Sequence, residues 1–236
     1  MVNTTDNPSS HEIREHLHTW KQSAHSHFER WAHHYDRDLI NLVLFDPTHR
    51  RVLTELRQWR RRGVCPVRML DVGCGTGTLL LRAAGRPGCV SRGQGLDMSP
   101  NMVSYAQQKA ATARLADKVG FVVGDSEHLP FEDESFDLVT CCNSFHHYPH
   151  KERALAEMWR VLTPGGHVII VDGSRDDPFG WFVFDIAVER AEKDVHHCSA
   201  AEFRTLLKDA GFNAIRQQVF HIVPPTLINR AQKSGH

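Results

Sequence analysis

The segment Arg68-Met69-Leu70-Asp71-Val72-Gly73-Cys74-Gly75-Thr76-Gly77-Thr78 constrains this chain more than any other stretch. A short apolar run reaches an acid, a G-x-G-x-G turn follows, and Leu79 to Ala84 is then compatible with a helix. Strand, glycine turn and helix in that order is how an open α/β sheet builds a nucleotide site. Glycine is needed where the backbone turns sharply and where a Cβ would block an approaching ligand. The dinucleotide fingerprint reads G-x-G-x-x-G and seats a pyrophosphate on the helix N-terminus. Here the third glycine stands one place early, at Gly77, and position 78 is Thr. That spacing disfavours an NAD-dependent oxidoreductase. Taken alone, the turn is also open to a purely structural reading.

A second strand end follows at Gly95-Leu96-Asp97-Met98-Ser99-Pro100. In a doubly wound sheet Asp97 falls beside the first glycine turn, where a carboxylate accepts both hydroxyls of a ribose. The plainer alternative is that Asp97 only helps to start the next helix. Ser99 reads as its N-cap and Pro100 as its first residue, with the helix running from about Asn101 to Leu115. Phe121-Val122-Val123-Gly124-Asp125-Ser126 is a third apolar run ending in an acid, with a simple turn aspartate as the alternative. Leu129 to Val139 leads through a loop into a fourth strand. Glu157 to Gly166 ends a helix at Pro-Gly-Gly, and His167 to Asp172 gives the fifth strand.

The glycine turn, with Asp71 two residues before its first glycine, resembles motif I of the class I S-adenosylmethionine (SAM) dependent methyltransferases. From about Met69 to Asp172 the motif order is similar to the type 11 branch of those enzymes. The resemblance implies an α/β, Rossmann-like doubly wound sheet of seven strands with an antiparallel edge strand, completed by runs at 213–220 and 226–231. It implies SAM as cofactor, held by Asp71, Gly73, Gly75, Gly77, Asp97, Met98, Asp125, Ser126 and Asn143, with Asp125 on the adenine amino group. Some amino methyltransferases carry (Asn/Asp)-Pro-Pro-aromatic at the position of Asn143. Ser144-Phe145 follows it here, so that amine-specific arrangement is absent.

A sulfonium methyl is already activated, so the protein's main contribution is to align donor and acceptor. A base is needed for a phenol, an alcohol or an aromatic carbon, whereas a thiolate or amine arrives ready. His146 and His147 are the candidates, because they follow strand four at the carboxyl edge of the sheet. Their alternative role is to hold that loop or touch SAM. Further upstream, Phe28 to Asp36 resembles the F-x-x-x-A-x-x-Y-D segment of many small-molecule methyltransferases, whose tyrosine, here Tyr35, closes over the SAM pocket. Packing of an aromatic helix face on the core is the alternative. Asn41 to His49, with a turn at Phe45-Asp46-Pro47-Thr48-His49, is faintly similar to the ubiquinone and menaquinone biosynthesis C-methyltransferases.

These motifs give a domain plan: a disordered tail at 1–10, an N-terminal helical segment at 11–62 acting as a lid, and a SAM-binding core at 63–236 with a cap insertion at 173–198. The cap contains Phe179-Gly180-Trp181-Phe182-Val183-Phe184, which offers Trp181 and Phe182 to a substrate or, equally, to the core. Ser199 and Glu202 fit a capping box for the helix beyond it.

Composition narrows the partners. The 236 residues hold 28 basic and 28 acidic side chains, so no basic excess favours nucleic acid. No run approaches the length of a membrane span, and no signal-peptide core is evident, which gives a cytoplasmic expectation. Six cysteines show neither a C-x-x-C pair nor a disulfide framework and read as reduced core residues. The 17 histidines cluster at the N-terminus, at His146-His147 and at His196-His197, without the carboxylate spacing of a metal site, so no metal is expected. The functional expectation is a methyltransferase acting on a small, partly apolar acceptor. A SAM-binding regulatory or scaffold protein without turnover is the alternative.

Overall fold

The computed structural model describes residues 39–64, 66–176, 195–220 and 225–235. The expectations for 1–10, 11–34, Tyr35 and Phe179 to Phe184, including Trp181 and Phe182, lie outside them. In chain order the described elements are α1 (Leu39–Arg61), β1 (Val67–Val72), α2 (Thr78–Ala84), β2 (Val90–Asp97), α3 (Pro100–Thr112), β3 (Val119–Val123), β4 (Phe136–Cys142), α4 (Lys151–Val161), β5 (Leu162–Gly173), α5 (Ala200–Asp209), β6 (Phe212–Phe220) and β7 (Thr226–Lys233). A single 3-10 turn, Phe145–His147, links β4 to α4.

The strands form one seven-stranded sheet in the order β3-β2-β1-β4-β5-β7-β6. The first five pair in parallel, and β7 runs antiparallel to both β5 and β6. The antiparallel strand expected at this end of the sheet is therefore present, one place in from β6.

Alternation of side chains divides the core into two layers. Met69, Leu138 and Ile169 face α1, α2 and α3, packing with Leu56, Leu80 and Ala106. Their chain neighbours Leu70, Val139 and Ile170 face α4 and α5, packing with Leu155, Met158 and Phe203. Buried on both faces, the middles of β1, β4 and β5 are mainly apolar for this reason. The sheet reverses direction of growth between β1 and β4, and a crevice must open there at the carboxyl ends.

Local signals in the sequence act as expected at two helix starts. The Ser99 hydroxyl accepts the Met102 N–H at 3.3 Å. Ser199 and Glu202 form a complete capping box, with the Ser199 N–H donating to the Glu202 carboxylate at 2.7 Å. Helix α3 stops at Thr112, three residues short of the sequence expectation, because the chain turns through Arg114 at φ 56°. Strand β5 begins at Leu162 rather than His167, since Pro164-Gly165-Gly166 continues from the helix end into the strand.

The expected turn at Phe45 to His49 is corrected to helix. α1 passes straight through Pro47. Proline removes one N–H from the helical ladder, and the Thr48 hydroxyl beside it donates to Phe45 O at 2.7 Å. Helix α1 is tied to the sheet by the Arg230 guanidinium on the buried Glu55 carboxylate at 2.8 Å. Four arginines at its end, Arg57 and Arg60 to Arg62, are exposed, as a solvated helix end requires. Among the described residues no helix is long and apolar enough to cross a membrane. The five described cysteines are free.

Candidate active site

A cavity of about 380 Å³ opens at the carboxyl ends of β1, β2, β3 and β4. That volume suits a nucleoside-sized ligand. One lip is the glycine turn after β1 with the ends of β2 and β3. The other is the segment after β4, roofed by Phe45, Asp46 and His49 of α1.

The first lip is made largely of backbone. Gly73 and Cys74 N–H groups donate to Leu96 O at 2.8 and 3.0 Å, which knits the turn to β2. The three glycines then have different reasons to be glycine. Gly73 has φ 69°, and a Cβ there would stand 2.0 Å from Ser144 Oγ and 2.9 Å from the Tyr148 hydroxyl. Gly77, at φ 73°, lies against Phe121 and Ala106, so it permits α2 to sit close to the sheet and does not line the cavity. Gly75 has φ 51° and open space where a Cβ would project. It lines the cavity, and a ligand can approach its bare backbone.

Asp97 ends β2 on the same lip. One carboxylate oxygen accepts the Gly75 N–H at 2.8 Å and the other the Ser99 N–H at 3.0 Å. The carboxylate thus orients the glycine turn and still has lone pairs for two hydroxyl donors. Burial raises its pKa, opposed by the N–H groups of Ser99, Gly75 and Met98. Met98, Asp125 and Ser126 complete this wall, with Asp125 braced by the Glu127 N–H at 3.0 Å. Asp71 is elsewhere. It is buried within β1, away from the cavity lining, and accepts a hydrogen bond from the Thr140 hydroxyl at 2.6 Å. Burial lifts its pKa to about 7. Its place is beneath the glycine turn, so the expected direct contact with a cofactor is corrected to support of the turn.

The second lip is made of side chains. Asn143 has φ 54°, a left-handed conformation that asparagine tolerates. Its amide donates to Thr48 Oγ1 at 2.9 Å, joining the lip to α1. Tyr148 OH and Ser144 Oγ pair at 2.8 Å under Gly73. His147 faces the cavity, and burial together with the neighbouring His146 holds its pKa well below the usual imidazole range. A neutral imidazole at pH 7 is a proton acceptor. His146 does not line the cavity. It lies one layer back, its Nδ1 2.6 Å from Asp172 Oδ1, while its backbone N–H donates to Asp172 Oδ2 at 2.8 Å. Cys74 and Cys142 also line the cavity, and burial raises both thiols well above their ordinary range, so neither is a thiolate nucleophile at neutral pH.

Among the described residues, His146, Asp172 and His197 bring candidate metal-ligand atoms within 4.8 Å of one another. The rings of His146 and His197 stack at 4.4 Å with planes only 17° apart. Imidazole lone pairs lie in the ring plane, so two near-parallel rings do not aim at one ion. The arrangement fits a stack of imidazoles better than a metal centre.

Sequence reading identified the first lip and missed most of the second. Phe45, Asp46, His49, Arg82 and Tyr148 were not anticipated in the cavity. Asp172 appeared only as a strand end. The polar residues of α1 at 46 and 49 were a usable signal, since they interrupt an otherwise apolar approach to the sheet.

A crevice at the switch point of this sheet, with the Asp97 carboxylate beside the bare backbone of Gly75, is the arrangement of a nucleoside-type site. The comparisons agree. A family model described as a methyltransferase domain matches residues 70–170. The demethylmenaquinone methyltransferase of Lactiplantibacillus plantarum is 30% identical over 220 residues, covering 82% of this chain and 89% of that protein. The chain belongs to the class I SAM-dependent methyltransferases, type 11 branch. It is an enzyme family that uses SAM. The ubiquinone/menaquinone biosynthesis C-methyltransferase of Geotalea daltonii is 38% identical over 125 residues, half of this chain and 53% of that protein. In structure, a SAM-dependent methyltransferase from Aquifex aeolicus superposes with a TM-score of 0.62 at 23% identity, over 83% of this chain and 93% of that one. The [4+2]-cyclase SpnF gives 0.65 at 22% identity, over 79% and 81%. At such identities these neighbours show the fold alone, and the second shows how far its chemistry ranges.

Proposed function

We propose that this enzyme methylates a ring carbon of a small, partly apolar quinol-type acceptor. The observation that carries this reading is His147 on the wall of the same cavity as the glycine turn and Asp97. The quinone methyltransferases among its relatives supply the acceptor class.

The cofactor residues fit SAM on two counts: the open space over Gly75, and the unused lone pairs of Asp97 beside it. Asp97 would receive the ribose hydroxyls, Asp125 and Ser126 would border the adenine, and Asn143 with Gly73 would border the methionine part. Gly77 and Asp71 shape the turn from behind. SAM supplies an electrophilic methyl already bonded to a cationic sulfur. The chain's own residues do the rest. Phe45 and Met102 give the cavity apolar wall. The second lip would hold the acceptor with a face of its ring toward the methyl, because a ring carbon attacks through the lobe perpendicular to its plane, at the roughly 3–3.5 Å that in-line displacement needs. His147 takes the proton that a ring carbon or its hydroxyl must lose, which general-base catalysis makes worth about 10²–10⁴ in rate.

The test is incubation with methyl-labelled SAM and a reduced naphthoquinone lacking the ring methyl. Label appearing on a ring carbon, with stoichiometric S-adenosylhomocysteine, is the expected result. Label on another metabolite of a cell extract, with none on the quinol, would replace the acceptor. Binding of S-adenosylhomocysteine with no labelled product from any source would favour the non-catalytic scaffold.

A further inference from the structure

A proton released in this cavity needs somewhere to go. Directly behind His147 the chain assembles two further imidazoles, His146 and His197, around one buried carboxylate. The rings of His146 and His147 lie 4.1 Å apart, and His146 stacks on His197 at 4.4 Å. Asp172, at the end of β5, is about 3% exposed in its side chain and lies 2.6 Å from His146 Nδ1 and 3.8 Å from His197 Nε2. Both carboxylate oxygens are fixed from the backbone as well: the His146 N–H donates to one and the Gly173 N–H to the other, each at 2.8 Å. Burial alone would raise this carboxyl, but the charge and hydrogen bond of His146, then His197, hold it well below the usual range. A buried ion held this firmly is costly to keep.

From this geometry we infer that Asp172 is a positioning residue for methyl transfer: it fixes His146 as the Nδ1–H tautomer and supplies the counter-charge against which the imidazole cluster receives the acceptor's proton. An ionised carboxylate only accepts, so the ring nitrogen facing it must carry the hydrogen. A ring with its hydrogen on Nδ1 keeps its lone pair on Nε2. An aspartate fixes a histidine ring in the same way in hydrolases; here the ring it fixes is His146, one layer behind the cavity-facing His147. The inference rests on the reading of His147 as the base at the cavity wall. Atoms balance in one step: the S–CH3 bond breaks with its electron pair left on sulfur, the acceptor's electron pair forms the new bond to the methyl, and one proton passes to the cluster and later to solvent. No oxidant or metal takes part.

The groups around the carboxylate agree with a single-proton store. Lys151 of α4 adds positive charge nearby, and Arg175 acts on His197 from beyond β5. Cys141 and Cys142 of β4 and Cys198 before α5 are all raised by burial and bring no charge at neutral pH. His197 is driven down to about 3, chiefly by burial and then by His146, which makes it a neutral stacking partner. Asp172 is the carboxylate that lies against His146 and His197.

The experiment compares wild type, Asp172→Asn, His146→Gln and the double variant in the full chain. Imidazole nitrogen NMR with S-adenosylhomocysteine bound reports the tautomer without any acceptor. Turnover with the reduced naphthoquinone reports the rate and its pH profile. The expected results are Nδ1–H at His146 in wild type, loss of that tautomer preference in Asp172→Asn, and a fall of about 10²-fold or more in kcat. The acid limb of the profile should move, S-adenosylhomocysteine affinity should hold, and the double variant should be no slower than the worse single one. An Nε2–H signal in wild type would overturn the proposal. So would an unshifted profile in both single variants, or stoichiometric zinc whose removal abolishes turnover. Should Asp172→Asn fail to fold, His146→Gln and the wild-type tautomer still decide. If wild type leaves the naphthoquinone unmethylated, the acceptor reading fails, and the tautomer measurement alone judges the role of Asp172.

Discussion

The two lips of the cavity are built by opposite strategies. The lip from β1 to β3 is local: Gly73, Gly75 and Asp97 meet through backbone hydrogen bonds at strand ends that the sheet places side by side. The lip after β4 is assembled from distant pieces. His147 comes from the 3-10 turn, Asp172 from the end of β5, His197 from the approach to α5, and Thr48 from α1. A cofactor shared by many enzymes is met by backbone geometry, which tolerates little change. An acceptor is met by side chains, which the same fold can exchange. The comparison teaches that substitutions should divide by lip: the first governs cofactor affinity and folding, the second governs turnover.

The harshest way to break the comparison is Gly73→Ala, because this residue belongs to both lips. Its new methyl would meet Ser144 Oγ and Cβ at 2.0 and 2.7 Å, and serine is too short to move aside. Left-handed backbone strain adds about 1–3 kcal/mol, and overpacking a similar amount. The expectation is a fall in Tm of many degrees together with lost S-adenosylhomocysteine binding, read by calorimetry.

A smaller effect sharpens the first lip through pH. Unfolded, an aspartate ionises near about 3.9, whereas folded Asp71 holds its proton up to about 7. A raised carboxyl favours the folded state below the unfolded value, and that contribution is lost as pH rises toward the folded one. Asp71→Asn keeps an acceptor for Thr140 and removes this loss. Its stability relative to wild type should therefore climb between pH 5 and pH 7, by up to about 1.4 kcal/mol per pH unit, and level off above. A constant difference in Tm across that range would contradict a proton on Asp71.

Smallest is the hinge between the second lip and α1. Thr48→Val removes the hydroxyl that accepts from Asn143 and donates to Phe45 O. The cost should be about 1–2 kcal/mol in stability, with a raised acceptor KM and little change in cofactor affinity. Equal loss on both would mean that α1 serves the two lips alike.

The same division explains what was legible. G-x-G-x-G, Asp97 and the Ser99-Pro100 helix start are short-range patterns whose physics is complete within a few residues, and the structure places them together. Asp71 sits in the same pattern, yet its side chain points to Thr140 of β4, and only strand pairing decides that. His146-His147 stood out as a pair, but the sequence gives no hint that one faces the cavity and the other a carboxylate 26 residues away. Pro47 read as a breaker because a local rule has no knowledge of the tertiary packing that carries α1 through it. Long-range assembly is where one sequence runs out.

The central claim is tested most directly by titrating S-adenosylhomocysteine into Asp97→Ala and His147→Ala side by side by calorimetry. The account predicts that Asp97→Ala weakens binding by about tenfold or more, the worth of hydrogen bonds to a charged acceptor. His147→Ala should bind as wild type does while losing turnover. Wild-type affinity in Asp97→Ala, or an equal loss in both variants, would contradict the separation of the cavity into a cofactor lip and an acceptor lip.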